Sequence, residues 1–393
     1  MIPPLIFEDD NQEPGLHALI IGVSAYSHLQ GGTSKPEDEP MLSLYTSLRQ
    51  LSGPAKSAKD IADFLIERKG KLVKPLRTLR FLASPSTAEV GPAFEGVKPA
   101  TTENVKSALT AWRRDARRSD DEVTFFYFSG HGSQLSQTNA VLLLADYLGG
   151  QAVLDRTIEV NDIYGGMGAS DAVKTIARTQ FYFIDACRVG EEVFSKIKPK
   201  GACLPWDVFD TGPARRKAAP IFFAALAGEQ TKTFVEENTT RFGRRLLNCL
   251  RSGGAEQTGS NKWVVTIGHL AQALSRLSVL QNLTAGATVD TFEVNGWGQD
   301  RTVIHELDGP PKVPCTFRFN PSDARKGIGL VLDNFTPVPL KFPPELKDPH
   351  CAEIVAGMYR MSSMPDNLLS AEPINLEPPS MEITIEPGRI SWI

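Results

Sequence analysis

Two residues in this chain have the chemistry of a nucleophile and its base. His131 stands in Ser129-Gly130-His131-Gly132, and Cys187 in Asp185-Ala186-Cys187-Arg188. A cysteine attacks a carbonyl carbon as its thiolate, and a neighbouring imidazole generates or stabilises that thiolate. The glycines on either side of His131 let the backbone turn sharply and approach a substrate closely. The main-chain N–H groups of Gly132 and Cys187 are then natural donors to the oxyanion of a tetrahedral intermediate. No third side chain that must orient His131 is evident.

Both residues need elements that deliver them to one place. Residues 123–128 form a β-branched and aromatic run that stops at Ser129, and residues 180–184 form a second that stops at Asp185. Neither run alternates with polar residues, which is how strands buried on both faces of a sheet read. In open α/β sheets, sites form at the carboxyl ends of the strands. The pattern therefore places a histidine on one strand end and a cysteine on another.

The remaining chain supplies the scaffold. Residues 17–25 read as a first, central strand. Residues 26–53 are long for a strand-to-helix connection, so they are either functional or inserted. Helical spacing of Ala58, Ile61, Ala62 and Leu65 predicts a helix over 55–68, and 77–83 read as a strand. A helix capped by Thr101 or Thr102 runs to about residue 118, with Val105, Leu109 and Trp112 on its apolar face. Its basic face, Arg113, Arg114, Arg117 and Arg118, reads as solvated. Residues 139–145 form another short apolar run. Asn161 or Asp162 can cap a helix within 163–177, with a start weakened by Gly165, Gly166 and Gly168. Residues 221–227 return as a strand, and 241–250 and 267–280 as helices. Strands alternating with helices mean a mainly parallel sheet with helices on both faces. From about residue 288 short alternating segments and prolines take over. The chain thus divides into a tail, 1–15, an α/β domain, 16–285, and a β-rich C-terminal region, 286–393.

Taken together, the two motifs resemble those of the caspase and metacaspase cysteine peptidases, particularly bacterial caspase-like members. Tyr127-Phe128-Ser129-Gly130-His131-Gly132 is similar to the family's histidine motif, and Asp185-Ala186-Cys187-Arg188-Val189-Gly190 to its cysteine motif. The histidine precedes the cysteine by about 56 positions, close to the ~50 of caspase sequences. The resemblance covers roughly residues 16–250. It implies a caspase fold of about six strands flanked by helices, and endopeptidase activity with His131 and Cys187 as the dyad. Relatives often serve in immunity, including antiviral defence, or in regulated cell death.

Caspases that cut after Asp carry Gln two residues before the cysteine; here that position is Asp185. A carboxylate at the pocket base selects Arg or Lys at P1 by charge pairing. Metacaspases use the same Asp, and Ser129 matches their pocket wall. Their second acidic pocket residue falls at Ser57 in this chain, with Asp60 three positions on. That departure implies a less acidic pocket, or one in which Asp146 or Asp162 supplies the charge.

A peptidase cutting after basic residues needs a latent form. The connection 189–220 leaves directly from the cysteine strand and ends near Arg215-Arg216-Lys217, a sequence such an enzyme accepts. Processing is therefore expected between Lys196 and Lys217. The dyad chemistry requires no cofactor and no metal, though the metacaspase resemblance admits Ca2+ as an activator. The expected partners are protein substrates and an activating protease or partner protein. The competing reading is a caspase-fold adaptor that no longer cleaves; an intact dyad argues against it.

Composition sets the outer bounds. A net charge of −4 over 393 residues argues against general nucleic-acid binding. The acidic, proline-containing start does not read as a signal peptide, and the longest apolar runs are too short to span a bilayer. The five cysteines are widely spaced without a CxxC, which suggests neither a disulfide framework nor a zinc site. A reducing, cytoplasmic setting is the expectation.

Overall fold

The computed structural model describes the chain apart from residues 1–3, 35–47, 137–138, 151, 153, 171–172, 188–203, 207–216, 226–232, 235–237, 286–291, 296–300, 321, 323–327, 335–337, 344–347, 365–371, 387–388 and 393. It divides into two compact units. The first comprises residues 1–247 and 278–300, the second 248–277 and 301–393. Packing thus returns residues 248–277 to the C-terminal unit, where composition alone draws one break at 285/286.

The first unit is built on a seven-stranded sheet. Its strands are β1 (Leu5–Glu8), β2 (Leu16–Val23), β3 (Leu76–Ser84), β4 (Val123–Gly130), β8 (Thr179–Ala186), β9 (Ile221–Phe223) and β14 (Glu293–Asn295), in the spatial order β1-β3-β2-β4-β8-β9-β14. The five inner strands are parallel, and β1 and β14 join antiparallel at the two edges. The expected six-stranded caspase sheet therefore carries an extra edge. That edge is β1, from the segment that reads as a tail; four residues alternating half-buried and exposed are too short to announce a strand.

The central strands β2 and β4 are buried along their whole length, so both faces of the sheet must be covered. Helix α1 (Pro54–Glu67) packs on β2, β3 and β4, and α2 (Thr102–Ala116) on β2 and β3. Successive side chains of a strand point to opposite faces. Leu19, Ile21, Phe126, Phe128, Tyr182 and Ile184 share one core with Trp112 of α2. Gly22, Tyr127, Ser129 and Asp185 take the other parity, on the α1 side. Each large apolar side chain so buried contributes about 1.5–3 kcal/mol.

The helix ends are held by distant carboxylates. Glu89 Oε1 accepts the N–H groups of Gly53 and Lys56 at the start of α1. Asp146 Oδ1 accepts both the N–H and the hydroxyl of Thr102 at the start of α2. Thr101 does occupy the cap position of α2, but its side chain makes no capping bond. The next helix, α3 (Val160–Gly166), begins before the expected caps Asn161 and Asp162. Its glycines, Gly165 and Gly166, end it rather than weaken its start. A small antiparallel sheet follows the His131 turn: β5 (Gly132–Ser136), β6 (Asn139–Leu143) and β7 (Thr157–Glu159). A two-stranded ribbon, β10 (Thr233–Phe234) and β11 (Thr239–Thr240), precedes α4 (Arg241–Asn248).

The second unit contains an antiparallel sheet of β12 (Ala255–Gln257), β13 (Trp263–Thr266) and β15 (Val303–Glu306), reached by the first part of α5 (Ile267–Ala285). It also holds two four-stranded sheets. One orders β19 (His350–Val355), β16 (Lys312–Phe319), β22 (Met381–Glu386) and β23 (Arg389–Trp392); the other orders β18 (Leu340–Phe342), β17 (Gly329–Asp333), β20 (Gly357–Met364) and β21 (Glu372–Leu376). Alternating burial along β16 and β20, and a 5.6 Å ring contact of Phe317 with Phe342, make these a sandwich.

Candidate active site

The β4–β8 register brings the two reactive residues together. Tyr127 pairs with Phe183, Ser129 with Asp185, and Gly130 with Ala186. His131 and Cys187 are the next residues on each chain, at the same level, on strands about 4.8 Å apart. Gly132 lies against the cysteine strand: a Cβ there would meet Ala186 Cβ at 2.8 Å and the Cys187 carbonyl at 2.9 Å. Only glycine fits. The Leu143 N–H donates to the His131 carbonyl at 3.0 Å. Bonding in an antiparallel ladder alternates, so the N–H of Gly132, opposite Leu142, turns away from β6. Cys187 is partly buried and forms no disulfide.

The orienting group for His131 is a main-chain carbonyl. Its Nε2 lies 2.7 Å from the Arg49 oxygen. A carbonyl only accepts, so Nε2 carries the proton and Nδ1 is the lone-pair nitrogen of the neutral ring. Burial lowers the imidazole pKa below the usual histidine value, and the Arg49 bond partly opposes that shift. Tyr26 braces the same residue. Its hydroxyl accepts the His131 N–H at 2.6 Å, and its ring tilts against the imidazole at 4.9 Å. Burial raises the pKa of this phenol, against the bond from the His131 N–H. Gln50 ties the two together: its Oε1 accepts from Tyr26 N, and its Nε2 donates to the carbonyls of Tyr26 and Gln30. The long connection after β2 thus contributes directly to the site.

Two residues before Cys187 lies Asp185, 1% exposed. Its Oδ2 accepts from Tyr127 and Ser129, each at 2.9 Å, and from the Thr240 hydroxyl. Its Oδ1 is buried with no hydrogen-bond partner among the described residues. Burial raises the carboxyl pKa, against the bonds from Thr240, Tyr127 and Ser129. Ser57 stands behind this group, accepting the Thr240 N–H at 2.9 Å with its hydroxyl 3.1 Å from Thr240 Oγ1.

Not every residue singled out from sequence joins this cluster. Asp162 is on the first turn of α3, which packs on β6 and β7; burial and neighbouring Glu159 raise its carboxyl. Asp146 is committed to capping α2 and to Arg156 at 3.3 Å. Asp60 pairs with Lys56 at 2.8 Å on α1. Among the described residues, no hydrogen bond joins any of the three to Asp185, which is met by hydroxyls. Arg215 and Arg216 lie outside the described residues. Lys217 is held at Tyr164: Nζ lies 2.7 Å from its carbonyl and 3.4 Å from its ring centroid. Burial pushes the amine down to about 7. Arg113, read as solvated, donates to the Gly166 carbonyl at 2.9 Å and lies over the Trp206 ring.

Sequence reasoning missed Tyr26, Arg49, Tyr127 and Thr240. Period-2 spacing before Ser129 could have found Tyr127, and the strand-end position after β2 could have found Tyr26. A backbone carbonyl such as that of Arg49 leaves no signal in residue type.

A fold of parallel strands with a histidine and a cysteine at neighbouring carboxyl ends defines a caspase-type domain. The family model for the caspase domain, Peptidase C14, matches residues 16–261, and the chain belongs to that family. It is 26% identical over 276 residues to an uncharacterized protein, y4kE, of Sinorhizobium fredii (strain NBRC 101917 / NGR234), covering 66% of this chain and 73% of that one. Among solved structures, it is similar to caspase-1 from Spodoptera frugiperda, with a TM-score of 0.41, 11% identity and coverage of 75% and 96% of the two chains. It is also similar to the structure of pro-sf-caspase-1, with a TM-score of 0.36, 14% identity and coverage of 77% and 90%.

Proposed function

We infer that this chain is a cysteine endopeptidase that cuts proteins after Arg or Lys. One observation carries the reading: Gly130 and Ala186 are register partners, so His131 and Cys187 leave neighbouring strands side by side. His131 Nδ1 takes the Cys187 thiol proton; the thiolate attacks the scissile carbonyl carbon, and the oxygen takes the negative charge, met by the N–H groups of Gly132 and Cys187. Imidazolium His131 gives its proton to the departing amine, the C–N bond breaks and a thioester remains. Neutral His131 then takes a proton from water, whose oxygen attacks the thioester and releases the acid and the thiolate. Throughout, the Arg49 carbonyl holds the imidazole by Nε2–H.

The P1 side chain is read from Asp185. A buried carboxylate oxygen without a donor is costly, and a guanidinium or ammonium of the substrate supplies the missing donor and charge. Oδ2 is already occupied by three hydroxyls, so the substrate cation pairs with Oδ1 alone. Latency is expected until the connection after Cys187 is cut or a partner rearranges it. The test is a fluorogenic panel varied at P1, read on wild type and Cys187→Ala. Preference for P1 Asp, or equal turnover by the variant, overturns the reading.

A further inference from the structure

A cavity of about 500 Å³ opens at the carboxyl ends of β2 and β3 in the first unit. Its wall is mostly apolar and includes Ala25, Pro85, Val90, Phe94, Val97 and Pro99. Val90 is 67% exposed, the most exposed large apolar side chain among the described residues of that unit. The wall is built rather than incidental. Glu89 fixes it through the Ser86 N–H and hydroxyl at 2.9 and 2.7 Å, and through Gly53 and Lys56 of α1. Phe94 stacks on Phe81 of β3.

Its place relative to the dyad says what enters it. Along the sheet the order is β8 with Cys187, β4 with His131, then β2, then β3. In peptide cleavage the acyl half stays on the cysteine and the leaving amine takes the histidine's proton. The leaving half therefore emerges on the β4 side and continues over β2. Ala25 and Ser27, which flank the Tyr26 that braces His131, both line the cavity. With strands ~4.8 Å apart, the midpoint between β2 and β3 lies about 7 Å beyond β4, which an extended peptide at ~3.3 Å per residue covers in two residues.

We propose that this cavity is a primed-side subsite, taking an apolar side chain from the second or third residue after the scissile bond. It rests on the peptidase reading above. Glu95 on the same wall sets it against acidic residues there.

The experiment uses internally quenched peptides with Arg at P1 and Leu, Phe, Gly or Asp at the second and third primed positions. An acyl-Arg aminocoumarin, which has no primed residues, is measured alongside on the activated full chain. The variants are Gly91→Trp, where an added Cβ meets no atom within 4 Å, and Val90→Asp. Wild type is expected to favour Leu or Phe over Gly by about tenfold or more in kcat/KM. Gly91→Trp fills the cavity and brings that ratio towards one, and Val90→Asp lowers it as well. Cleavage of the aminocoumarin with no primed preference, or with a preference untouched in both variants, overturns the subsite and leaves the peptidase reading standing. No Cys187-dependent cleavage of any substrate overturns both.

Discussion

The imidazole Nε2 of His131 lies 2.7 Å from the main-chain oxygen of Arg49, while the Arg49 side chain is exposed. The residue therefore serves through a group that every amino acid carries. Gln50, next in sequence, holds that segment to Tyr26 and Gln30 with side-chain bonds.

Arg49→Ala should consequently leave kcat within about twofold of wild type, since the carbonyl remains. Gln50→Ala should lower it by about 10- to 100-fold, because small displacements of a catalytic group are costly. Steady-state kinetics on an Arg-aminocoumarin peptide compare the two. A larger loss in Arg49→Ala than in Gln50→Ala would contradict the carbonyl's role.

Cys187→Ala should abolish cleavage, and His131→Ala should reduce it by at least about 10²–10⁴-fold. Neither change removes a large apolar contact, so circular dichroism and melting temperature should stay close to wild type. Turnover near wild type in either variant would dismiss the dyad.

Asp185→Asn should lose Arg and Lys substrates by orders of magnitude, because it removes the carboxylate charge that pairs with the substrate cation. The same change should raise stability at neutral pH. Burial raises the folded-state pKa of Asp185, so its relative contribution to stability is fully present below the usual Asp range. That contribution is lost as pH rises through the raised value. Asparagine does not titrate. Thermal melts should place the variant a few degrees above wild type at pH 7, with the gap closing as pH falls through the carboxylate range. A gap that widens in acid would refute the sign.

Processing should spare the Lys217–Ala218 bond. A P1 side chain must turn into the substrate pocket, whereas the Lys217 amine is bonded to the Tyr164 carbonyl and stacked on its ring. Mass spectrometry of activated wild type should show a cut earlier in 196–217, with Cys187→Ala uncut. A new amino terminus at Ala218 would show that this anchor does not protect the bond.

Much of the site was legible in the sequence. Uninterrupted apolar runs ending at Ser129 and Asp185 identified strands buried on both faces, and with them the ends where His131 and Cys187 stand. Asp185 and Ser129 were found through the same two motifs, and the register places them opposite each other. The α1 and α2 helices followed from apolar spacing. What failed were the features set by partners far along the chain. Thr101 takes the cap position of α2 as expected, yet the bond to the helix start comes from a carboxylate 44 residues beyond Thr102. Asp146 and Asp162 were candidates for the pocket by charge alone; Asp146 holds the start of α2 and Asp162 sits on the first turn of α3.

The sequence by itself determined which residues can react and which strands carry them, because burial on both faces and a strand's abrupt end are written locally in residue type. Only the tertiary structure decided what surrounds them. Thr240 meets Asp185 from 55 residues away, and the Arg49 carbonyl meets His131 from 82. Such partners are chosen by how the elements pack, and a hydroxyl or a backbone oxygen reads the same in sequence wherever it ends up.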